Sequence, residues 1–485
     1  MSFGKSSDKR KMGMKCKLSN RQQTIILADV ALLFTLCYLS LCFNNNIWTD
    51  EAFTIELLHS DFAGILKGTA SDVHPPLYYL IAKCFTLVFG DSLLCLKLVS
   101  ILPMTLCMTW GAYLIRRRFD FATALLFIVL LGVIPCTMEY AVQVRMYSWA
   151  IFFVTCMALW AYEAYLERKW RYFIGIALTS AAAAYTHYFA FVSVILIYGL
   201  LFLALAFGSP RELGKWLSAT ALSLLLFLPW MPYMRLQVKG VSKNYWIEEI
   251  TGKTIKAFFP FLFDMDIPGT TAVWVGLLAV SLCLGVHMIV TGDRGADRER
   301  GMGVFSLMCL FVPIGTAVTG IVASALIRPV FIVRYLLPCM GLVALFLAIP
   351  LARYGREAVY PALLLFFLCA GLVDYKQSVY REYQWTHTAE TEAFLAEHVG
   401  EQDIIAYNYE SYKFIYDYYW SDDEKILWQG IDLDGNPYDT IWLLDTIYWP
   451  TPTDAYLAEH GWQKQFMGNY GIEHNDFKIY KITRR

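Results

Sequence analysis

The sequence predicts a mainly α-helical, polytopic membrane protein that ends in a small α/β domain. Three observations predict it. Hydrophobic residues make up 57% of the 485 positions against 17% charged, and mean hydropathy is +0.45. Soluble domains run nearer ~45–50% apolar and ~25% charged. Apolar runs long enough for a bilayer recur up to Asp374. Charge is divided along the chain: the net charge of −1 covers 31 basic and 22 acidic residues before Tyr375, then 9 basic and 19 acidic from Tyr375 on. These features exclude a disordered chain and divide it into a membrane module, 1–374, and an acidic α/β domain, 375–485.

The first element is the apolar run 24–43, preceded by a basic arm from Lys5 to Arg21. It is of full membrane length and lacks a small-residue cleavage site, so it reads as a signal anchor. Ten further runs follow, at 93–115, 121–138, 146–164, 172–187, 188–207, 217–234, 271–291, 303–323, 334–352 and 358–374. With the N-terminus in the cytoplasm, the positive-inside rule is met by every short basic loop. These loops are Arg116–Arg118, Glu167–Arg171, Arg211–Lys215, Arg294–Arg300 and Arg353–Arg356. The agreement requires that His74–Gly90, which opens on two prolines and carries Lys83, be an outer interfacial helix and not a span. Eleven spans then leave the C-terminus outside the cell membrane.

The last 111 residues mix a helical pattern at Thr388–His398 with short apolar runs at 403–407, 440–444 and 476–482, an α/β signature. All twelve cysteines lie between Cys16 and Cys369, mostly within apolar runs, and read as small packing residues. No CxxC or Cys/His spacing suggests zinc.

In so apolar a chain the ionisable residues at the span ends carry the functional signal. Five outer-side stretches stand out. Asp50 and Glu51 follow the first span beneath Trp48, where partial desolvation raises the basicity of a carboxylate. Asp72 and His74 precede Pro75-Pro76 and suit either helix capping or a phosphate at a helix N-terminus. Glu139 and Arg145 flank the second outer turn, as a mutual salt bridge or as site residues. His187 lies in Tyr185-Thr186-His187-Tyr188-Phe189, as an interfacial hydrogen bonder or a catalyst. Arg334 and Tyr335 belong to Arg334-Tyr335-Leu336-Leu337-Pro338, with an outer-side arginine of the kind that holds phosphate.

The ordered set Trp48-Thr49-Asp50-Glu51, Asp72-Val73-His74-Pro75-Pro76-Leu77-Tyr78-Tyr79, Arg145-Met146-Tyr147-Ser148, Thr186-His187-Tyr188-Phe189 and Arg334-Tyr335-Leu336-Leu337-Pro338 resembles the bacterial branch of the C-type (GT-C fold) glycosyltransferases. That branch is related to protein O-mannosyltransferases and to the lipid A aminoarabinose transferase. The resemblance spans roughly residues 20–350. It implies inverting transfer of a sugar from a polyprenyl-phosphate carrier to a hydroxyl of a cell-envelope acceptor, at the outer face. Asp50 matches the family's catalytic acidic position and Glu51 its neighbour. His74 and Arg334 match positions assigned to the donor phosphate, and Arg145 is grouped with them. Asp72, Glu139, His187 and Tyr335 are further site candidates. The region around Arg145 departs from relatives that carry an acidic residue there. No cofactor is required; a divalent metal is an option, with Asp50, Glu51 and Asp72 as oxygen ligands. The expected partners are the lipid-linked donor, the acceptor and the bilayer, with no nucleic acid.

A secondary transporter is the rival reading. It would show paired repeats and ionisable groups at mid-bilayer. No repeat is visible, and Asp29, the main acid inside a span, lies near its cytoplasmic end. A non-catalytic sensor would leave Asp50-Glu51 and the His74 motif unexplained.

Overall fold

The computed structural model describes residues 18–43, 47–243, 247–291, 297–355, 358–381, 387–420, 425–435, 437–446, 450–472 and 475–485. Most of the basic arm, Asn44–Asn46, Arg294 and Arg356 lie outside the described residues. Helix α1, Asn20–Ser40, starts at a capping box in which Ser19 and Gln22 satisfy each other's backbone N–H groups. Three shorter helices follow: α2 (Thr49–His59), α3 (Phe62–Ser71), capped by Asp61, and α4 (Leu77–Phe89). Helix α4 starts directly after Pro75-Pro76 and stops at Gly90, whose φ of 85° is open to glycine.

Among the described residues nine helices are long and apolar enough to cross a membrane. They are Asn20–Ser40, Leu93–Arg118, Tyr147–Glu167, Tyr188–Gly208, Pro210–Gly240, Thr270–Thr291, Arg298–Leu326, Val333–Tyr354 and Val359–Val379. The other two expected spans are shorter helices, Phe121–Val133 and Trp170–Thr186. The run 121–138 is cut because Pro135 disfavours helical geometry at the residue before it; Ile134 adopts ψ 117° and a separate short helix, Pro135–Tyr140, begins. Phe121–Val133 and Val333–Tyr354 form the buried centre of the bundle. Helices around them present apolar side chains outward, among them Phe207, Leu224, Val290 and Leu326, as expected of surfaces that meet lipid.

Two prolines inside the spans leave carbonyls that neighbouring helices satisfy. Pro103 cannot donate to the Val99 carbonyl, which instead accepts the Trp149 indole N–H at 3.1 Å. Pro350 frees the Phe346 carbonyl, which accepts the Ser306 hydroxyl at 3.1 Å.

The C-terminal domain is a five-stranded sheet in the order β2-β1-β3-β5-β4: β1 (Asp403–Tyr407), β2 (Lys425–Leu427), β3 (Thr440–Asp445), β4 (Trp462–Ile472) and β5 (Asn475–Arg484). Strands β2, β1 and β3 are parallel, and the β4–β5 hairpin joins β3 antiparallel. One face carries Trp442 against Phe394 of the helix Thr388–His398. The other buries Ile404, Ile441, Leu443 and Ile482 with Leu457. The domain is anchored on the membrane module. Phe414, in the helix Lys413–Tyr419, meets Phe53 of α2 edge to face at 5.3 Å, and the Tyr419 hydroxyl accepts the Ile47 N–H at 3.4 Å.

Candidate active site

The site grows from the start of α2. Asp50 and Glu51 occupy its first turn, where carboxylates are favoured by the free N–H groups. Successive helical residues point about 100° apart, and the two acids diverge. Glu51 is 3% exposed. Its Oε2 accepts the Trp48 N–H at 3.1 Å, and its Oε1 reaches across to the Val144 N–H at 2.6 Å. Burial pushes the Glu51 carboxyl above the usual range, against the pull of Lys97 and of these two N–H groups. Asp50 keeps a side-chain exposure of 32% and faces two guanidinium groups, Arg334 at 3.5 Å and Arg145 at 3.7 Å from its Oδ2.

The turn 141–146 delivers Arg145, which is 2% exposed. Its Nη1 donates to the Asp50 carbonyl at 3.0 Å, the Thr54 hydroxyl at 3.2 Å and the Tyr79 hydroxyl at 3.4 Å. Its Nη2 lies 3.4 Å from His74 Nε2. Since arginine only donates, Nε2 accepts, and His74 Nδ1–H donates to Asp72 Oδ2 at 2.7 Å. Burial alone would raise the Asp72 carboxyl; His74, bonded to it, and Arg145 beyond outweigh burial and hold it below the ordinary aspartate value. The ion pair of Arg145 is therefore with Asp50 and not with Glu139.

Arg334 enters from the start of the Val333–Tyr354 helix and lies over the Trp48 ring at 5.0 Å. Tyr335, the next residue, packs edge-on to His187 at 5.0 Å. His187 caps the Tyr188–Gly208 helix by accepting the Phe189 N–H on Nδ1 at 3.1 Å, and its ring lies 6.2 Å from that of His74. Glu139 sits on the Pro135–Tyr140 helix, where its charge acts on Tyr140; that ring meets Tyr147 at 5.1 Å. Residues separated by up to 285 positions, from Asp50 to Tyr335, are thus joined in one cluster of contacts.

Four contributors were not singled out from sequence: Thr54, Tyr79 and Tyr147 as partners or walls, and Lys97. Lys97 is fully buried in Leu93–Arg118 and acts electrostatically on Glu51. A cation inside an apolar run, one turn from its start, was its available signal. A metal ion does not fit this donor set. Both Glu51 oxygens are taken by backbone N–H groups, Asp72 is bonded to His74, and no group of three or more metal-ligating side chains converges among the described residues.

Residues 73–233 match the family model described as dolichyl-phosphate-mannose-protein mannosyltransferase. The matched stretch holds His74, Glu139, Arg145 and His187; Asp50 precedes it and Arg334 follows it. Among curated proteins none matches the chain by sequence. In three dimensions the chain is similar to ArnT from Cupriavidus metallidurans bound to undecaprenyl phosphate, with TM-score 0.60 and 11% identity over 95% of this chain and 98% of that one. The apo state of the same protein gives TM-score 0.57 and 12% identity over 94% and 97%. The arabinofuranosyltransferase AftD from mycobacteria gives TM-score 0.52 and 12% identity, covering 97% of this chain and 40% of the larger one. The chain has the C-type glycosyltransferase fold.

Proposed function

We propose that this protein is an inverting membrane glycosyltransferase that moves a sugar from a polyprenyl-phosphate carrier to a hydroxyl of a cell-envelope acceptor at the outer face of the cell membrane. The observation that carries this reading is Asp50, a partly exposed carboxylate held between Arg145 and Arg334. It joins a base and two cations in one cluster, the groups that displacement of a phosphate by a hydroxyl calls on. The acceptor oxygen attacks the anomeric carbon while its proton passes to Asp50. The bond from the anomeric carbon to the phosphate oxygen breaks on the opposite side, so configuration inverts. The departing lipid phosphate gains charge, which Arg334 stabilises as a preorganised donor; His74, whose Nδ1–H is given to Asp72 and whose Nε2 accepts from Arg145, orients Arg145 toward that phosphate. Arg145, with most of its N–H groups committed, fixes Asp50 and adds to the positive field. Glu51 is a positioning residue that ties α2 to the turn bearing Arg145. Tyr335 and His187, both buried, back Arg334 and His74, and Glu139 stands behind Tyr140 and Tyr147.

The test is transfer from a purified polyprenyl-phosphate sugar to a cell-envelope acceptor extract. Asp50→Asn keeps the size of the side chain and loses the base, so turnover is expected to fall by ~10²-fold or more, with carrier binding retained. Arg334→Ala and His74→Ala are expected to weaken donor saturation by roughly tenfold to a hundredfold, the worth of a hydrogen bond to a charged group. Normal transfer by Asp50→Asn together with an inactive Glu139→Gln would move the base to the second outer turn and overturn this assignment.

A further inference from the structure

The C-terminal domain has a crevice of its own. Strand β1 lies between β2 and β3, so the chain leaves β1 toward one side of the sheet and returns to the other. In α/β sheets such a reversal opens a crevice at the carboxyl ends of the parallel strands, where ligands bind. Here those ends are Asn408, after β1, and Asp445-Thr446, at the end of β3. They are joined across the crevice floor: Asn408 Nδ2 donates to Asp445 Oδ1 at 2.7 Å, and Asn408 Oδ1 accepts the Thr446 N–H at 2.9 Å. A cleft of ≈ 660 Å³ opens beside this floor and wraps the end of the sheet, a size within the usual range for small-ligand pockets.

Its walls have one consistent chemistry. Asp445 pairs with Lys478 on β5, and Lys478 pairs with Asn469 on β4. Directly paired residues share a face, so a carboxylate, an ammonium and a carboxamide form one row across three strands. Asp445 is 6% exposed and is held in place by Asn408 and the Thr451 hydroxyl, the latter 2.8 and 2.7 Å from its two oxygens. From the opposite face of the sheet end come the half-buried Tyr470 ring, itself backed by Phe394 at 4.5 Å, and His387. Asp445 and Asp476 in the lining disfavour anions, and Lys478 disfavours cations. A carboxylate fixed on both oxygens, with an ammonium and a carboxamide beside it and an aromatic face opposite, instead matches vicinal hydroxyls and the C–H face of a neutral sugar.

We propose that this cleft binds the neutral glycan portion of the acceptor, a role that rests on the transferase reading above. The domain that holds the cleft also packs on α2 through Phe414 and Phe53, so a captured acceptor is held on a domain docked against the helix that carries Asp50.

The experiment uses the full chain in nanodiscs on an array of immobilised di- to tetrasaccharides, some built of neutral hexoses and N-acetylhexosamines and others containing uronic acids. Wild type and Asp50→Asn are expected to bind a subset of the neutral glycans equally. Asn469→Ala combined with Lys478→Ala, both at exposed positions that hold no other element in place, is expected to weaken that binding at least about tenfold. The proposal is overturned if no neutral glycan is retained above a protein-free control, if only acidic glycans bind, or if the double variant binds as wild type. Loss of transfer is scored separately with Asp50→Asn, so a glycan-binding protein without transferase activity refutes the enzyme reading and leaves the cleft assigned.

Discussion

Asp50 and Glu51 are chain neighbours with opposite environments, and the difference defines their tasks. Glu51 closes two backbone N–H groups that belong to different segments. A glutamine there has one oxygen and one nitrogen, so one buried N–H would face another donor. Glu51→Gln is expected to cost ~1–3 kcal/mol of stability, the penalty of an unsatisfied buried group, read as a lower melting temperature. Asp50→Asn is expected to melt near wild type while losing turnover. Asp72 gives a pH signature. Its carboxyl is held below the ordinary aspartate value, so its pairing contributes stability that is fully present above about pH 4 and lost as the pH falls through the lowered value. Asp72→Asn removes that contribution, and the gap in melting temperature between the two proteins should close on acidification. The residues of the site were legible in sequence because an apolar chain keeps few ionisable groups at its span ends. Their pairings were not. Glu139 is nearer to Arg145 in sequence than Asp50 is, yet Asp50 takes the ion pair, because partners are set by how α2 and the turn 141–146 pack.

Elements were legible wherever an apolar run matched bilayer length. They were misjudged where a local backbone rule intervened, as at Pro135, which splits the 121–138 run. In the C-terminal domain β1, β3 and β5 were readable as apolar runs. The long strand β4 was hidden by its polar residues, Gln463, Lys464, Gln465 and Asn469, which are tolerated because β4 is the edge of the sheet. The span prolines give a prediction at this scale. Trp149→Phe leaves the Val99 carbonyl without its indole donor and should destabilise the bundle by ~1–3 kcal/mol. Adding Pro103→Ala restores a helical N–H four residues after Val99, so the double variant should recover part of the loss in a thermal melt. Equal melting of the single and double variants would mean that the indole's packing, and not its hydrogen bond, is what matters.

At the scale of the whole molecule, the side of the membrane that the charged cluster faces depends on the direction in which the chain threads the bilayer. A reporter that works only outside the cytoplasm is expected to be active when fused after Arg485 and silent when fused after Arg118. A silent fusion after Arg485 would place the C-terminal domain in the cytoplasm and overturn the outer-face assignment of the site. The molecule is also closed by its own ends. The Tyr419 hydroxyl meets the Ile47 N–H across 372 positions of chain, and Phe414 meets Phe53 beside it. Translation proceeds from one end only, so the wall behind α2 is missing until the chain has been made through Tyr419. A ribosome that stalls earlier releases a chain already rich in membrane helices, yet with the platform under Asp50 unfinished. The wall behind α2 therefore waits on the helix that carries Phe414 and Tyr419, long after the first helices have entered the bilayer.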